Sequence, residues 1–137
     1  MKKIISKESD YALRVLIKLQ QTNNPINMSS LSKSLFIGKA MLIKIIQILK
    51  SKNLIFTKKG KNGGIIINKK FINTNIYEIF QRLDIKYDIS SCHDFNGKCC
   101  DLKNICQAYK VFYECKSFID KKLQKVKLKD LAFENIT

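Results

Sequence analysis

Residues 28–50 read MSSLSKSLFIGKAMLIKIIQILK, and this stretch decides the fold. Its first part, Met28–Leu35, predicts a short helix, because leucines recur there one helical turn apart and either Ser29 or Ser30 can cap its start. A short connection containing glycine follows. From Lys39 the apolar residues return at helical period on one arc, with a largely basic arc opposite. A helix, a turn and an amphipathic helix with a basic outer face form, in this order, a helix-turn-helix motif.

The chain after this motif predicts a β-hairpin over residues 54–68, LIFTKKGKNGGIIIN. Two β-prone runs, Leu54–Thr57 and Ile65–Ile67, flank a tip rich in lysine and glycine. A basic hairpin directly after a helix-turn-helix is typical of a wing, and a solvated surface hairpin is the alternative. The motif and the wing together predict residues near the base edges of DNA, namely Lys39, Ala40 and Lys44, and residues near its phosphates, namely Ser29, Lys58, Lys59 and Lys61.

Amphipathic patterns also flank this region. Residues 8–21 and 74–84 predict helices, and a heptad-like seam follows towards the C-terminus. A helix of about 20 residues spans about 30 Å, which is too long for its stripe to be buried on so small a domain. We therefore expect this helix to form a dimer, and packing against its own domain is the alternative. The seam consists of Ile105, Tyr109, Phe112, Ile119, Leu123 and Val126.

The predicted architecture is mainly α with a small β-hairpin wing, that is, a winged helix-turn-helix domain plus a long C-terminal dimerisation helix. We place the DNA-binding domain at 1–84, a cysteine-rich loop at 85–104, and the dimerisation helix with a C-terminal segment at 105–137. Winged helices usually read two half-sites, so we expect a homodimer on palindromic double-stranded DNA.

Composition favours a polyanionic partner. The chain of 137 residues carries 26 basic and 11 acidic side chains, a formal net charge of +15, which favours phosphate neutralisation on nucleic acid. Almost all of the basic residues are lysine, and an AT-rich genome would produce the same bias without any binding role. The N-terminus lacks a signal-peptide pattern and no apolar run is long enough for a membrane span, so we expect a cytoplasmic protein.

Cysteines cluster in the stretch CHDFNGKCCDLKNIC at 92–106. In a reducing compartment such a cluster indicates metal binding or redox chemistry rather than disulfides. Cys92, Cys100 and Cys106 are far enough apart to converge from a loop, which favours an iron–sulfur cluster with one weaker ligand. The alternatives are a zinc site that includes His93 and either Cys99 or Cys100, a thiol switch of Cys99 and Cys100, or no ligand role. Cys115 lies on the predicted long helix, where we expect it to pack.

Taken together, these motifs resemble those of the Rrf2 family of winged-helix regulators, and in particular the members that sense nitric oxide. The resemblance covers nearly the whole chain. Besides the cysteine loop, it rests on SDYALRVLIKL at 9–19, MLIKIIQILKSKNLI at 41–55, KGKNGGIIIN at 59–68 and VKLKDLAFEN at 126–135.

The resemblance implies a homodimeric repressor whose DNA binding depends on a labile iron–sulfur cluster of the four-iron or two-iron type. Cys92, Cys100 and Cys106 match the three cysteine ligands of the cluster, and Asp10 matches an aspartate that supplies the fourth ligand from the partner subunit. Another branch of the family uses a histidine where this chain has Tyr109, which counts against that branch. The wing carries Lys59 where arginine is usual, and lysine lacks the planar fork for bidentate contacts.

Three other functions compete with this interpretation. The same regulator could use its cysteines as a zinc site or a thiol switch. A small iron–sulfur or thiol oxidoreductase belongs to a different class, but the sequence contains no catalytic acid–base pair, so we do not expect an enzyme. A basic RNA-binding structural protein would bind RNA in preference to DNA.

Overall fold

The computed structural model of the chain describes residues 4–90 and 101–133. These residues contain five α-helices, one antiparallel β-hairpin and two short 3₁₀ turns. The elements are α1 (Lys7–Gln20), α2 (Met28–Leu35), α3 (Lys39–Ser51), β1 (Ile55–Lys58), β2 (Gly64–Ile67), a 3₁₀ turn (Lys69–Phe71), α4 (Ile76–Arg82), α5 (Gln107–Lys125) and a second 3₁₀ turn (Leu128–Asp130). The predicted fold class, a winged helix-turn-helix with a long C-terminal helix, is confirmed.

Side-chain caps fix where three of the helices begin. Ser6 accepts a hydrogen bond from the Ser9 amide at 3.2 Å, and Asn75 accepts one from the Glu78 amide at 2.8 Å. The cap of α2 is Asn27, whose Oδ1 accepts from the third residue of the helix at 2.8 Å. The prediction of a serine cap for α2 was therefore wrong. Asparagine is an equally good cap, and here it stands one position before the helix. From there its side chain can accept a hydrogen bond from a first-turn amide that has no partner within the helix.

The turn between α2 and α3 is closed by Phe36, which has a left-handed backbone with φ of 55°. The Phe36 amide and the Ile37 amide both donate to the Ser32 carbonyl, and the Ser32 hydroxyl donates to the Ile37 carbonyl at 2.5 Å. Gly38 has an ordinary φ of −61° and caps α3 without a side-chain hydrogen bond. The left-handed position in the helix-turn-helix is thus a phenylalanine and not the glycine.

The wing is joined by its backbone to the segment that leads into α2. β1 and β2 pair antiparallel with Ile55 opposite Ile67, and Ile65 forms a further bridge to Ile26 with N–O distances of 2.8 and 3.0 Å. Gly64 makes this bridge possible, because a Cβ there would lie 2.7 Å from the Ile26 carbonyl group. The wing and the start of α2 therefore form one unit.

One hydrophobic core holds these elements together. α1 packs against α3 and the hairpin, and the buried residues of α3 are Leu42, Ile45, Ile46 and Leu49. The expected apolar arc of α3 is present, except that Ile48 is 36% exposed at its edge.

The chain returns to this core after α5. Leu128 is fully buried, the Ile76 amide donates to the Val126 carbonyl at 2.9 Å, and the Leu128 amide donates to the Thr74 carbonyl at 3.0 Å. Further along, the Gln20 side chain donates to the Leu131 carbonyl at 2.5 Å. Residues 126–133 thus close the domain over α1 and the start of α4.

The predicted seam of α5 divides into two parts. Ile119, Leu123 and Val126 are half-buried against the core of their own domain, whereas Ile105 and Phe112 are exposed. One end of the helix therefore packs back on its own domain, as the alternative interpretation expected, and the other end is exposed. The dimer stays a prediction. Among the described residues, none of the helices combines the length and the apolar character that a membrane crossing requires.

Candidate nucleic-acid interface and sensor site

The exposed face of α3 carries the residues predicted to lie near base edges. Lys39 and Ala40 are exposed in the first turn of the helix, directly after the tight turn. Lys44 is also exposed on this face, and its Nζ is 4.0 Å from Glu8 of α1.

This face also presents two residues for which the sequence predicted no contact with DNA. In helical projection at about 100° per residue, Ile43 and Gln47 lie between Lys39 on one side and Ala40 on the other. Ile43 is 47% exposed and Gln47 is also exposed. The signal was available in the helical period, because an isoleucine on the polar arc of a helix is an exception to the pattern.

The residues predicted to lie near phosphates are exposed on two neighbouring elements. Ser29 lies in the first turn of α2, and Lys58, Lys59 and Lys61 lie at the tip of the wing. Because the wing is bridged to the segment before α2, these side chains have a fixed relation to one another. The exposed face of α3 and the wing tip carry lysines, and the start of α2 adds uncharged serines. These three parts contain no acidic residue, and such a surface attracts a phosphate backbone.

Of the predicted sensor ligands, Asp10 lies on α1 with its carboxylate turned outward. It forms a salt bridge with Arg14 at 2.8 Å, and its side chain is 48% exposed. The same carboxylate borders a hollow of about 220 Å³ whose apolar walls include Leu13 and Phe80. Asp10 is thus held by a solvent-exposed pair, which is weak.

The cysteine ligands are only partly within the described residues. Cys106 stands immediately before α5, is partly exposed, and donates its amide to the Leu102 carbonyl at 2.9 Å. Cys92 and Cys100 lie outside the described residues, as do His93 and Cys99. Over residues 4–90 and 101–133, no group of three or more His, Cys, Asp or Glu side chains is close enough to hold a metal ion.

The described donors nevertheless fit an iron–sulfur cluster in their chemistry. The Cys106 thiol and the Asp10 carboxylate are both accessible to solvent rather than buried in the core. A carboxylate is a harder and weaker ligand for this iron than a thiolate, so one site of a cluster held in this way would be labile. Cys115, which we expected to pack, is exposed on α5.

A polar anchor joins the segment that follows α4 to the middle of α5. The Tyr87 hydroxyl donates to Asp120, and Lys116 lies 3.5 Å from the same carboxylate and 5.3 Å from the Tyr87 ring. The ring is buried edge-on against Phe80. Burial and, secondly, the bond to Asp120 raise the pKa of Tyr87 above its usual range. This anchor fixes α5 close to the point where the chain enters the cysteine-rich loop.

Comparison with known proteins gives consistent matches over this architecture. The family model Rrf2, described as an iron-dependent transcriptional regulator, matches residues 5–134. The transcriptional regulator NsrR of Bacillus licheniformis is 32% identical over 100 residues, covering 72% of this chain and 70% of the relative. NsrR of Bacillus subtilis is 29% identical over 126 residues, covering 90% and 86%.

Among solved structures, IscR of T. potens superposes with a TM-score of 0.68 at 19% identity, covering 95% of this chain and 85% of that one. At this identity the likeness concerns the fold.

Proposed function

Because the chain belongs to the Rrf2 family of transcriptional regulators, we propose that it is a homodimeric repressor controlled by an iron–sulfur cluster that senses nitric oxide. The chain is a transcriptional regulator and not an enzyme. The operator we propose is a palindromic DNA duplex, with one half-site for each subunit.

The observation that carries the DNA-binding part is the joined basic surface. The bridge between Ile26 and Ile65 links the wing to the start of α2, and the turn at Phe36 links α2 to α3, so the three parts can contact one half-site together. With a net charge of +15, the chain gains affinity for duplex DNA by releasing counterions from the phosphates.

An exposed apolar stripe on α5 supports the dimer. Val111, Cys115 and Phe118 follow one another at helical spacing on the side of α5 that faces away from the domain, and Phe118 is 72% exposed. An apolar stripe of this length on a helix otherwise fixed to its own domain is suited to a second copy of the same helix.

For the cluster we propose Cys92, Cys100 and Cys106 of one subunit as ligands, with Asp10 of the other subunit completing the set. A bound cluster would supply the iron chemistry that responds to nitric oxide. For Asp10 to act as a ligand, its carboxylate must leave Arg14, and an exposed pair of this kind costs only about 0–1 kcal/mol to break. Release of Asp10 would allow the pair with Arg14 to form again, so α1 has a stable arrangement in both states.

The test is duplex binding by protein purified without oxygen, measured before and after nitric oxide is added. The expected protein is brown, its visible absorbance is bleached by nitric oxide, and its affinity for DNA falls at the same time. A colourless protein that takes up no iron on reconstitution but binds zinc stoichiometrically would contradict the cluster.

Asp10→Ala tests the fourth ligand. We expect this variant to bind DNA and to lose its cluster faster than the wild type. Glu78→Ala removes a carboxylate from the exposed side of α4 and serves as the matched control. If Asp10→Ala keeps its cluster and responds to nitric oxide as Glu78→Ala does, the assignment of Asp10 is wrong.

A further inference from the structure

We infer that α3 recognises A·T base pairs through an apolar stripe, Ala40 and Ile43, followed by Gln47, and that the group contacted by Ile43 is the C5-methyl of thymine. This inference rests on the proposed DNA binding and names the chemistry that the reading helix recognises. It adds to the DNA-contacting residues two positions that carry no charge.

The first observation is where Ile43 lies. The neighbouring isoleucines of α3, Ile45 and Ile46, are 1% and 5% exposed, whereas Ile43 is 47% exposed on the outer face. A single exposed isoleucine is common on protein surfaces and would mean little by itself. Here it stands one helical turn from the exposed methyl of Ala40, on a face that also carries exposed lysines.

The second observation is the position of the charges. Lys39 and Lys50 lie on one side of the stripe in helical projection, and Lys44 lies on the other side with Glu8 at 4.0 Å. Lysines at the margins of a reading helix are suited to the phosphates that border the groove. In this projection only Gln47 lies between Ile43 and Ala40, so no arginine or lysine interrupts the stripe.

The chemistry of the major groove selects the ligand. The C5-methyl of thymine is the one apolar group that the base pairs present there, and alanine and other apolar side chains contact it. A glutamine amide pairs with N6 and N7 of adenine. Ile43 and Gln47 are four residues apart on the same face, so they can contact a thymine and an adenine at adjacent positions of one half-site.

The experiment uses a duplex selected from a random library by the wild-type protein without oxygen. Each thymine of the half-site is then replaced in turn by deoxyuridine, which removes the C5-methyl and leaves every hydrogen-bonding group in place. At a contacted thymine we expect affinity to fall about fourfold, the value of one buried methyl group. Replacement at thymines outside the contacted positions should have no effect.

Ile43→Ala identifies the residue responsible. The variant should bind the thymine duplex several-fold more weakly than the wild type and should no longer distinguish thymine from uracil at the contacted position. Ile48→Ala, on the same helix but at the opposite margin of its exposed surface, is the control and should keep the full discrimination. Both side chains are exposed, so neither change should affect folding.

The outcomes separate this inference from the proposed function. If the wild-type protein selects no duplex, the DNA-binding proposal and the thymine contact are both wrong. If it selects a duplex but uracil is tolerated at every position, or if Ile43→Ala discriminates as well as Ile48→Ala, only the thymine contact is wrong.

Discussion

At the scale of single residues, Phe36 adopts a backbone conformation in the helix-turn-helix that phenylalanine rarely adopts. A left-handed backbone is easy for glycine and tolerable for asparagine, but for other residues it costs about 1–2 kcal/mol. The Phe36 ring is 92% exposed, so no packing offsets this cost. The backbone hydrogen bonds to Ser32 hold the conformation in place.

Phe36→Asn should therefore stabilise the protein. Asparagine adopts the left-handed region more readily at the end of a helix, and we expect the free energy of unfolding to rise by about 1 kcal/mol. Chemical denaturation measures this change. Lys33→Asn, at an exposed helical position of α2, is the control and should give no gain; equal or lower stability of Phe36→Asn would show that the ring contributes more than its exposure suggests.

Tyr87 makes stability depend on alkaline pH. Its pKa is raised from the ordinary value of 10.0 by burial and by the bond to Asp120, so the folded state retains the proton where the unfolded state loses it. Its contribution to stability is complete below pH 10 and decreases as the pH rises above that value. Tyr87→Phe should lack the part of the decrease in stability that is due to Tyr87. The free energies of unfolding of variant and wild type, compared between about pH 8 and 11, measure this part, since the ordinary pKa of tyrosine is about 10.

Asp120→Asn is the companion variant for Tyr87, because it weakens the anchor and keeps the tyrosine. In this variant the pKa of Tyr87 should still be raised by burial, but it should no longer be raised by the Asp120 carboxylate. If wild type and Tyr87→Phe lose stability in parallel above pH 10, the raised pKa of Tyr87 is not linked to folding.

At the scale of elements, the helices and the hairpin followed from the sequence, whereas the division of α5 did not. Local periodicity predicted α1, α2, α3 and both strands nearly to their ends, because each buries one face against a single core. The seam of α5 looked continuous from Ile105 to Val126, since spacing alone does not say what covers a face. Only the return of residues 126–133 to the core explains why its later part is half-buried.

The open stripe of α5 makes a direct prediction about oligomeric state. Phe118→Asp places a charge in the middle of the stripe, and we expect the dimer to dissociate into monomers, as measured by light scattering after size-exclusion chromatography. Gln124→Asp adds the same charge at an exposed position on the opposite side of the helix. Monomers of both variants, or dimers of both, would contradict a role for this stripe in dimerisation; thermal unfolding verifies that each variant is folded.

At the scale of the whole molecule, the sequence predicted two candidate functional regions but not their internal geometry. The basic wing and the helix-turn-helix could be found because charge and periodicity are local properties. The exposed fraction of Ile43 could not be read from the sequence, because periodicity assigns a residue to an arc of α3 but does not give the area that its side chain leaves open to solvent. The pairing of Asp10 with Arg14 was equally hidden, because a helical spacing of four residues allows a salt bridge but does not require one.

The closure of the domain by residues 126–133 has a consequence for synthesis on the ribosome. The Gln20 side chain at the end of the first helix is bonded to the Leu131 backbone, 111 residues later, and Leu128 completes the interior. A nascent chain that has emerged only as far as the wing therefore lacks part of its own core. We expect the growing chain to complete the fold of its DNA-binding domain only after α5 has also been made. An incomplete regulator would therefore not bind an operator before its cysteine-rich loop has been synthesised.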